Sequence, residues 1–222
     1  MYKKPFAIPF IGWILIGTIV PGLVIAFYGF TDRSGAFTMD NVTSILAPEH
    51  AKALWMSLLL AFISSLICLI ISLPLALILR NSKLSSKGFL VFIFILPMWM
   101  NFLLRTMAWQ VLLERGGLIN SFFENIGMPQ LQIINTPVAV VLGMVYDYLP
   151  FMILPIYNSM IKIENAVIEA AYDLGATKAK VFKDVILPLS VPGIASGITM
   201  VFVPALTTFA ISNMLGGGKI YL

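Results

Sequence analysis

Charge is what this sequence has least of. Lysine, arginine, aspartate and glutamate together make up 11% of its 222 residues, where a soluble domain carries about a quarter. It has one cysteine, Cys68, inside an apolar run, so no internal disulfide and no cysteine-rich metal site can form. No Gly-x-x-x-x-Gly-Lys-Ser/Thr segment is present, so the chain has no phosphate-binding loop and does not hydrolyse ATP by itself. Strand-like alternation is missing from the apolar runs, which rules out a membrane barrel.

Apolar side chains fill the space that charge leaves. They account for 59% of the residues, and the mean hydropathy is +0.96. The charges are bunched, leaving uncharged stretches at 5–31, 53–79, 88–104, 125–146 and 185–218. About 20 consecutive apolar residues cross the hydrocarbon core of a bilayer as a helix. The pattern is that of an all-α membrane protein with several spans. A soluble enzyme, a secreted disulfide scaffold and a nucleic-acid-binding domain are excluded. The basic balance, with a pI near 9.2, marks one side of a membrane rather than a nucleic-acid surface.

Five spans are expected, at about 8–29, 54–79, 88–112, 137–158 and 191–213. Each is long enough to satisfy its own backbone as a helix, as lipid demands. With the N-terminus inside, the inner segments hold nine basic residues: Lys3, Lys4, Arg80, Lys83, Lys87, Lys162, Lys178, Lys180 and Lys183. The outer segments hold four, Arg33, Lys52, Arg115 and Lys219. The positive-inside rule therefore places the N-terminus in the cytoplasm. Five spans leave the ending Leu215-Gly216-Gly217-Gly218-Lys219-Ile220-Tyr221-Leu222 outside. That ending reads as the start of a loop, so a sixth span is expected beyond it; a natural five-span chain is the alternative.

Two loops carry further pattern. Leu118 to Ile126 is amphipathic and reads as a helix lying on the outer membrane surface. The cytoplasmic loop 159–190 reads as two short helices. Ile163, Val167, Ala170, Ala171 and Leu174 recur at helical spacing in the first, and Gly175 provides its stop. Thr177 is a plausible N-cap for the second, which carries Val181, Phe182 and Val185. Pro188 and Pro192 are expected to end the unit and tilt the chain into the fifth span. Two helices with apolar faces outside the membrane pack either on their own bundle or into a soluble partner.

That loop carries a recognisable motif. Glu169-Ala170-Ala171-Tyr172-Asp173-Leu174-Gly175, followed after nine residues by Val185-Ile186-Leu187-Pro188, resembles the EAA motif of ABC importer permeases. The segments Asn101–Thr106, Gly143–Tyr157 and Leu215–Gly218 are similar to the B-type permease subunits of the spermidine/putrescine transport family. The resemblance covers most of the chain from about residue 50. It implies a single type I importer transmembrane domain of MetI-like fold over 1–222, with six spans in all. It implies a second, related permease subunit, two cytoplasmic ATPase subunits and an external substrate-binding protein or lipoprotein. No cofactor is expected on this chain, with ATP and Mg held by the ATPase, and no metal site. Glu169, Ala170, Ala171, Gly175 and Pro188 would then form the coupling element. On that resemblance Glu169 would meet the ATPase, the two alanines would allow close approach, and Gly175 would let the chain turn.

Asp147 stands out on physical grounds, because a mid-membrane carboxylate is expensive unless it faces a cavity or a partner. Tyr146 and Tyr148 flank it, and Trp99 lies on a neighbouring span; a carboxylate among aromatic rings favours a protonated amine. Three roles stand open: a cation path, an ion pair with Arg105, and contact with the partner permease. Counted along a continuous third span from Gly88, Arg105 sits roughly 10 Å from the level of Asp147 at 1.5 Å per residue. Other functions also stay open. The importer's cargo could be iron, thiamine, sulfate, molybdate or an amino acid, and the chain could instead be a non-transporting scaffold or an ion-coupled carrier.

Overall fold

The computed structural model describes residues 8–32, 34–45, 47–81 and 92–218. The expected start of the third span near Gly88 and the flanking charges Lys3, Lys4, Arg33, Lys83, Lys87 and Lys219 lie outside the described residues. Among the described residues the secondary structure is helical, apart from one isolated bridge between Thr31 and Phe37. The chain divides into two compact units, Met1–Lys52 and Ala53–Leu222.

The first unit holds α1 (Ile8–Gly29) and the short α2 (Asp40–Ser44). Asn41 ties the loop between them, donating through Nδ2 to the carbonyls of Tyr28 at 3.2 Å and Thr31 at 3.1 Å. The membrane-length window of α1 has no buried residues. A helix that is apolar all round is suited to lipid or to another chain.

Helix α3 (Pro48–Asn81) begins in the first unit and runs through the second. It exceeds the expected 54–79 at both ends, with Pro48 starting it and Glu49 in its first turn, where the helix dipole favours an acid. Its buried positions are mostly small, including Ser57, Ala61, Ser64, Ser65, Cys68, Ser72 and Ala76. Small side chains let helices approach closely where lipid removes the usual hydrophobic drive. Ser64 Oγ donates to Met144 Sδ at 3.3 Å on α7 (Pro137–Met160), and Cys68 Sγ lies 3.8 Å from the Val145 carbonyl.

The third expected span is not one helix. Phe92–Trp99, here α4, ends in a 3-10 turn at Leu96–Trp99, and the chain restarts at α5 (Phe102–Leu113) and α6 (Leu118–Asn125). The segments on either side of the break are bent by 94°. Asn101 is the physical cause of the restart. Its backbone is extended, and its Oδ1 accepts from the N–H groups of Leu103 at 2.9 Å and Leu104 at 3.4 Å, as an N-cap does. Hydropathy alone does not register such a break, because residues 92–100 before it and 102–104 after it are all apolar. Beyond it, Asn120 is buried in α6 and joins the segments before and after that helix: Nδ2 donates to the Glu114 carbonyl at 2.9 Å, and Oδ1 accepts from Leu131 N at 2.7 Å.

Helix α7 is the centre of the second unit, packing against α3, α5, α10 (Leu187–Leu206) and α11 (Phe209–Leu215). Its contact with α10 is the most extensive and depends on glycine. A Cβ at Gly193 would lie 2.5 Å from Ser159 Cβ and 2.6 Å from the Pro155 carbonyl, and one at Gly197 would lie 2.8 Å from Met152 Sδ. Pro150 and Pro155 lie within α7 without ending it.

The fifth span also differs from its expected limits. The apolar helix runs Lys178–Leu206 and stops before 213, with α11 as a separate short helix. Pro188 and Pro192 do not end the cytoplasmic pair; both lie inside the continuous helical run. The run accommodates Pro188 by a π-turn at Phe182–Ile186. Proline has no N–H for the Asp184 carbonyl and its ring crowds that oxygen, so the turn before it widens.

Candidate functional site

Two groups of residues carry chemistry. The first lies inside the helix bundle. Asp147 sits ten residues, about 15 Å, into α7 and is 1% exposed; Arg105, in the first turn of α5, is 6% exposed. Arg105 Nε lies 3.2 Å from Asp147 Oδ1. The rise counted from Gly88 does not apply, because the helix breaks at Met100–Asn101 and α5 sets its own level for Arg105. Thr106 Oγ1 is 3.4 Å from Asp147 Oδ2, sharing its one proton with the Phe102 carbonyl at 3.1 Å. Tyr148 OH reaches the Pro204 carbonyl on α10 at 3.5 Å. Among the described residues, Arg105 Nε and Nη1, Asp147 Oδ1 and Thr208 Oγ1 are buried without a hydrogen-bond partner, so the 3.2 Å contact is an ion pair rather than a hydrogen bond.

The residues named for a cation path divide. Arg105, Asp147 and Tyr148 come together. Tyr146 points elsewhere and meets Trp109 edge-to-face at 5.3 Å. Trp99 is 74% exposed and packs edge-to-face on Phe92 at 5.7 Å. The carboxylate is therefore neutralised by a guanidinium rather than caged by rings. Such a pair is held by mutual attraction in a low-dielectric interior, and removing either member strands the other.

The second group is the 159–190 loop. Helix α8 (Asn165–Asp173) carries Glu169, Ala170 and Ala171, and none of its residues is buried. Glu169 and Ala170 are exposed, Ala171 is half-buried, and Leu174 just past the helix is 89% exposed. Gly175 takes a positive φ of +79°. Its N–H bonds the Tyr172 carbonyl at 2.8 Å, and Ala176 N bonds the Ala171 carbonyl at 3.1 Å. This is the paired closure that glycine permits at a helix end. Thr177 Oγ1 then accepts from Lys180 N at 3.4 Å and starts α9 (Lys178–Val181). Pro188 lies further on, exposed in the first turn of α10. Beside the loop, a cavity of about 620 Å³ is lined by residues including Asn158, Lys162, Glu164, Val167, Gly193 and Ser196.

Glu169, Ala170 and Ala171 thus stand on a helix returned by Gly175 between two membrane-length helices. Residues 72–221 match the family described as binding-protein-dependent transport system inner membrane component. The chain belongs to this family. It is 36% identical to the spermidine/putrescine transport system permease protein PotB of Haemophilus influenzae over 218 residues, 95% of this chain and 76% of the relative. It is also 36% identical to the PotB of Escherichia coli over 217 residues, 94% and 79%. The fold matches a bacterial ABC transporter involved in the import of the acidic polysaccharide alginate, with a TM-score of 0.79 at 18% identity, covering 98% of this chain and 78% of that one. At that identity the likeness concerns the fold.

The protein is thus a transmembrane permease subunit. Several of the residues that organise it gave no sign in the sequence. Thr106 and Thr208 are ordinary polar residues in apolar runs. Asn101, inside an expected span, is the one whose type signals a cap. Arg80 read only as a charge at a membrane border, because its partners lie some 80 residues away along the chain.

Proposed function

We propose that this permease is one of two related membrane subunits of an ATP-driven importer for polyamines such as spermidine and putrescine. The observation that carries the cargo is the 36% identity, along nearly the whole chain, to permeases named for those substrates. The exposed α8 supports the coupling role. Glu169 and Ala170 are exposed, and the apolar tip at Leu174 suits the cleft of a soluble partner. Two cytoplasmic ATPase subunits, holding ATP and Mg, supply the energy, and an external binding protein delivers the polyamine. A rigid helix seated in such a cleft conveys closure of the ATPase pair as a rigid-body movement.

The basic residues support the orientation. Arg80 lies at the end of α3 and the exposed Lys162, Lys178, Lys180 and Lys183 lie around α8 and α9, a basic cluster that supports a cytoplasmic location for this end and, by the positive-inside count, for the N-terminus. Selection of the cargo rests chiefly with the binding protein, and the neutral Arg105–Asp147 pair keeps the helices in register.

The test is ATP turnover of the complex reconstituted in lipid with its binding protein loaded with spermidine, putrescine or sulfate. Stimulation by the polyamines alone, abolished by Glu169→Lys in a complex that still assembles, is expected. Turnover that ignores polyamines contradicts the cargo; failure of any ATPase to bind contradicts the coupling role.

A further inference from the structure

Arg80 closes helix α3, and its guanidinium turns towards the protein. Nε donates to the carbonyl of Met160, the last residue of α7, at 2.9 Å. Nη2 donates to the Ile163 carbonyl at 3.0 Å and to Asn165 Oδ1 at 3.2 Å, and Nη1 lies 3.4 Å from Asn81 Oδ1. One planar group thus joins the end of α3, the end of α7 and the first residue of α8.

The chemistry suits arginine in particular. The last carbonyls of a helix lack intrahelical partners and carry the negative end of its dipole. A guanidinium presents several donors in a fixed fork and keeps its charge, so it meets two backbone oxygens and a side-chain amide together. A lysine ammonium has three donors on a flexible stem and does not hold that spread of acceptors in one plane.

The consequence concerns α8. Only Ile168 and Ala171 of its residues are half-buried against the core and none is fully buried, so its ends carry much of its anchoring. Its C-terminal end is fixed by the Gly175 closure into α9. At its N-terminal end, Ile163 is buried and the Arg80 fork grips Ile163 and Asn165. We propose that Arg80 is the positioning residue of the loop that carries Glu169: it makes α8 rigid with both α3 and α7, so that movement at Glu169 reaches both helices. This rests on the importer reading above. Without the fork, α8 pivots about residues 161–164 and ATP is spent without movement of the bundle.

The test measures ATP hydrolysed and spermidine accumulated in the same proteoliposomes, using the full complex with its binding protein. The ratio of the two is the readout, because a merely structural role lowers both together. Arg80→Gln is expected to assemble and hydrolyse ATP while its spermidine-to-ATP ratio falls about five-fold or more, the lower end of typical coupling between sites. Arg80→Lys should fall between it and the wild type. An Arg80→Gln complex with an unchanged ratio overturns the proposal. Should that variant not assemble, Asn165→Ala decides, because Asn165 is exposed and its removal leaves the Met160 and Ile163 contacts in place. A reduced ratio supports the proposal, and an unchanged one overturns it. A wild-type complex that hydrolyses ATP without accumulating spermidine refutes the polyamine cargo on which this readout rests, a result distinct from an unchanged ratio in the variant.

Discussion

Replacing Arg105 by methionine leaves Asp147 buried with no counter-charge, and replacing Asp147 by leucine does the same to Arg105. Both side chains are almost fully buried and their charged atoms stand 3.2 Å apart. At an effective dielectric constant of about 20, two unit charges at that distance attract by about 5 kcal/mol. Losing one partner of a buried pair costs about 3–5 kcal/mol, while replacing both by apolar residues is close to neutral. Each single variant should therefore lose about 3–5 kcal/mol, and the double variant Arg105→Met/Asp147→Leu should recover most of it. The coupling energy of the cycle is expected to be at least about 3 kcal/mol, far above the roughly 0.5 kcal/mol within which independent sites add. Reversible unfolding in mixed micelles, followed by circular dichroism, measures all four proteins. Additive losses would refute the ion pair as the contact that holds α5 to α7. Uptake by the double variant gives a second readout: a stable protein that no longer transports polyamine assigns Asp147 to the cation path instead.

Other consequences follow from local geometry. Gly193→Val places a side chain against Ser159 and the Pro155 carbonyl and should lower stability by about 1–3 kcal/mol, as overpacking does. Gly17→Ala, with nothing within 4 Å of its Cβ, should leave thermal unfolding unchanged or raise its midpoint slightly. Asn101→Ala removes the cap of α5 and should cost about 1 kcal/mol, with faster hydrogen exchange confined to the amides of residues 102–105. Pro188→Ala restores an N–H opposite the Asp184 carbonyl. The π-turn at Phe182–Ile186 should then tighten to ordinary α geometry, visible as a protected amide at residue 188, where proline has none.

Hydropathy located α1, α3 and α7 well, because a membrane span is set by the length of an apolar run. Polar and glycine signals located α8 and α9, since Gly175 and Thr177 act on their own neighbours. The remaining features depend on contacts between distant parts of the chain. The break at Met100–Asn101 is hidden in continuous apolarity and is marked only by a capping side chain. Pro188 and Pro192 read as stops, yet one lies where a first turn tolerates proline and a π-turn absorbs its missing donor. Asp147 and Arg105 were each legible as costly membrane charges, but their meeting depended on where α5 restarts. The Arg80 fork was not legible, because nothing local to residue 80 names Met160, Ile163 or Asn165 as its partners.

The central claim is that this permease carries polyamines with energy delivered through the α8 loop. Accumulation of labelled spermidine in proteoliposomes containing the full complex, with and without ATP, tests it most directly. ATP-dependent accumulation of spermidine, competed by putrescine and not by sulfate, and absent in the Glu169→Lys complex, is the predicted result. Accumulation of sulfate instead of spermidine, or spermidine uptake untouched by Glu169→Lys, would contradict it.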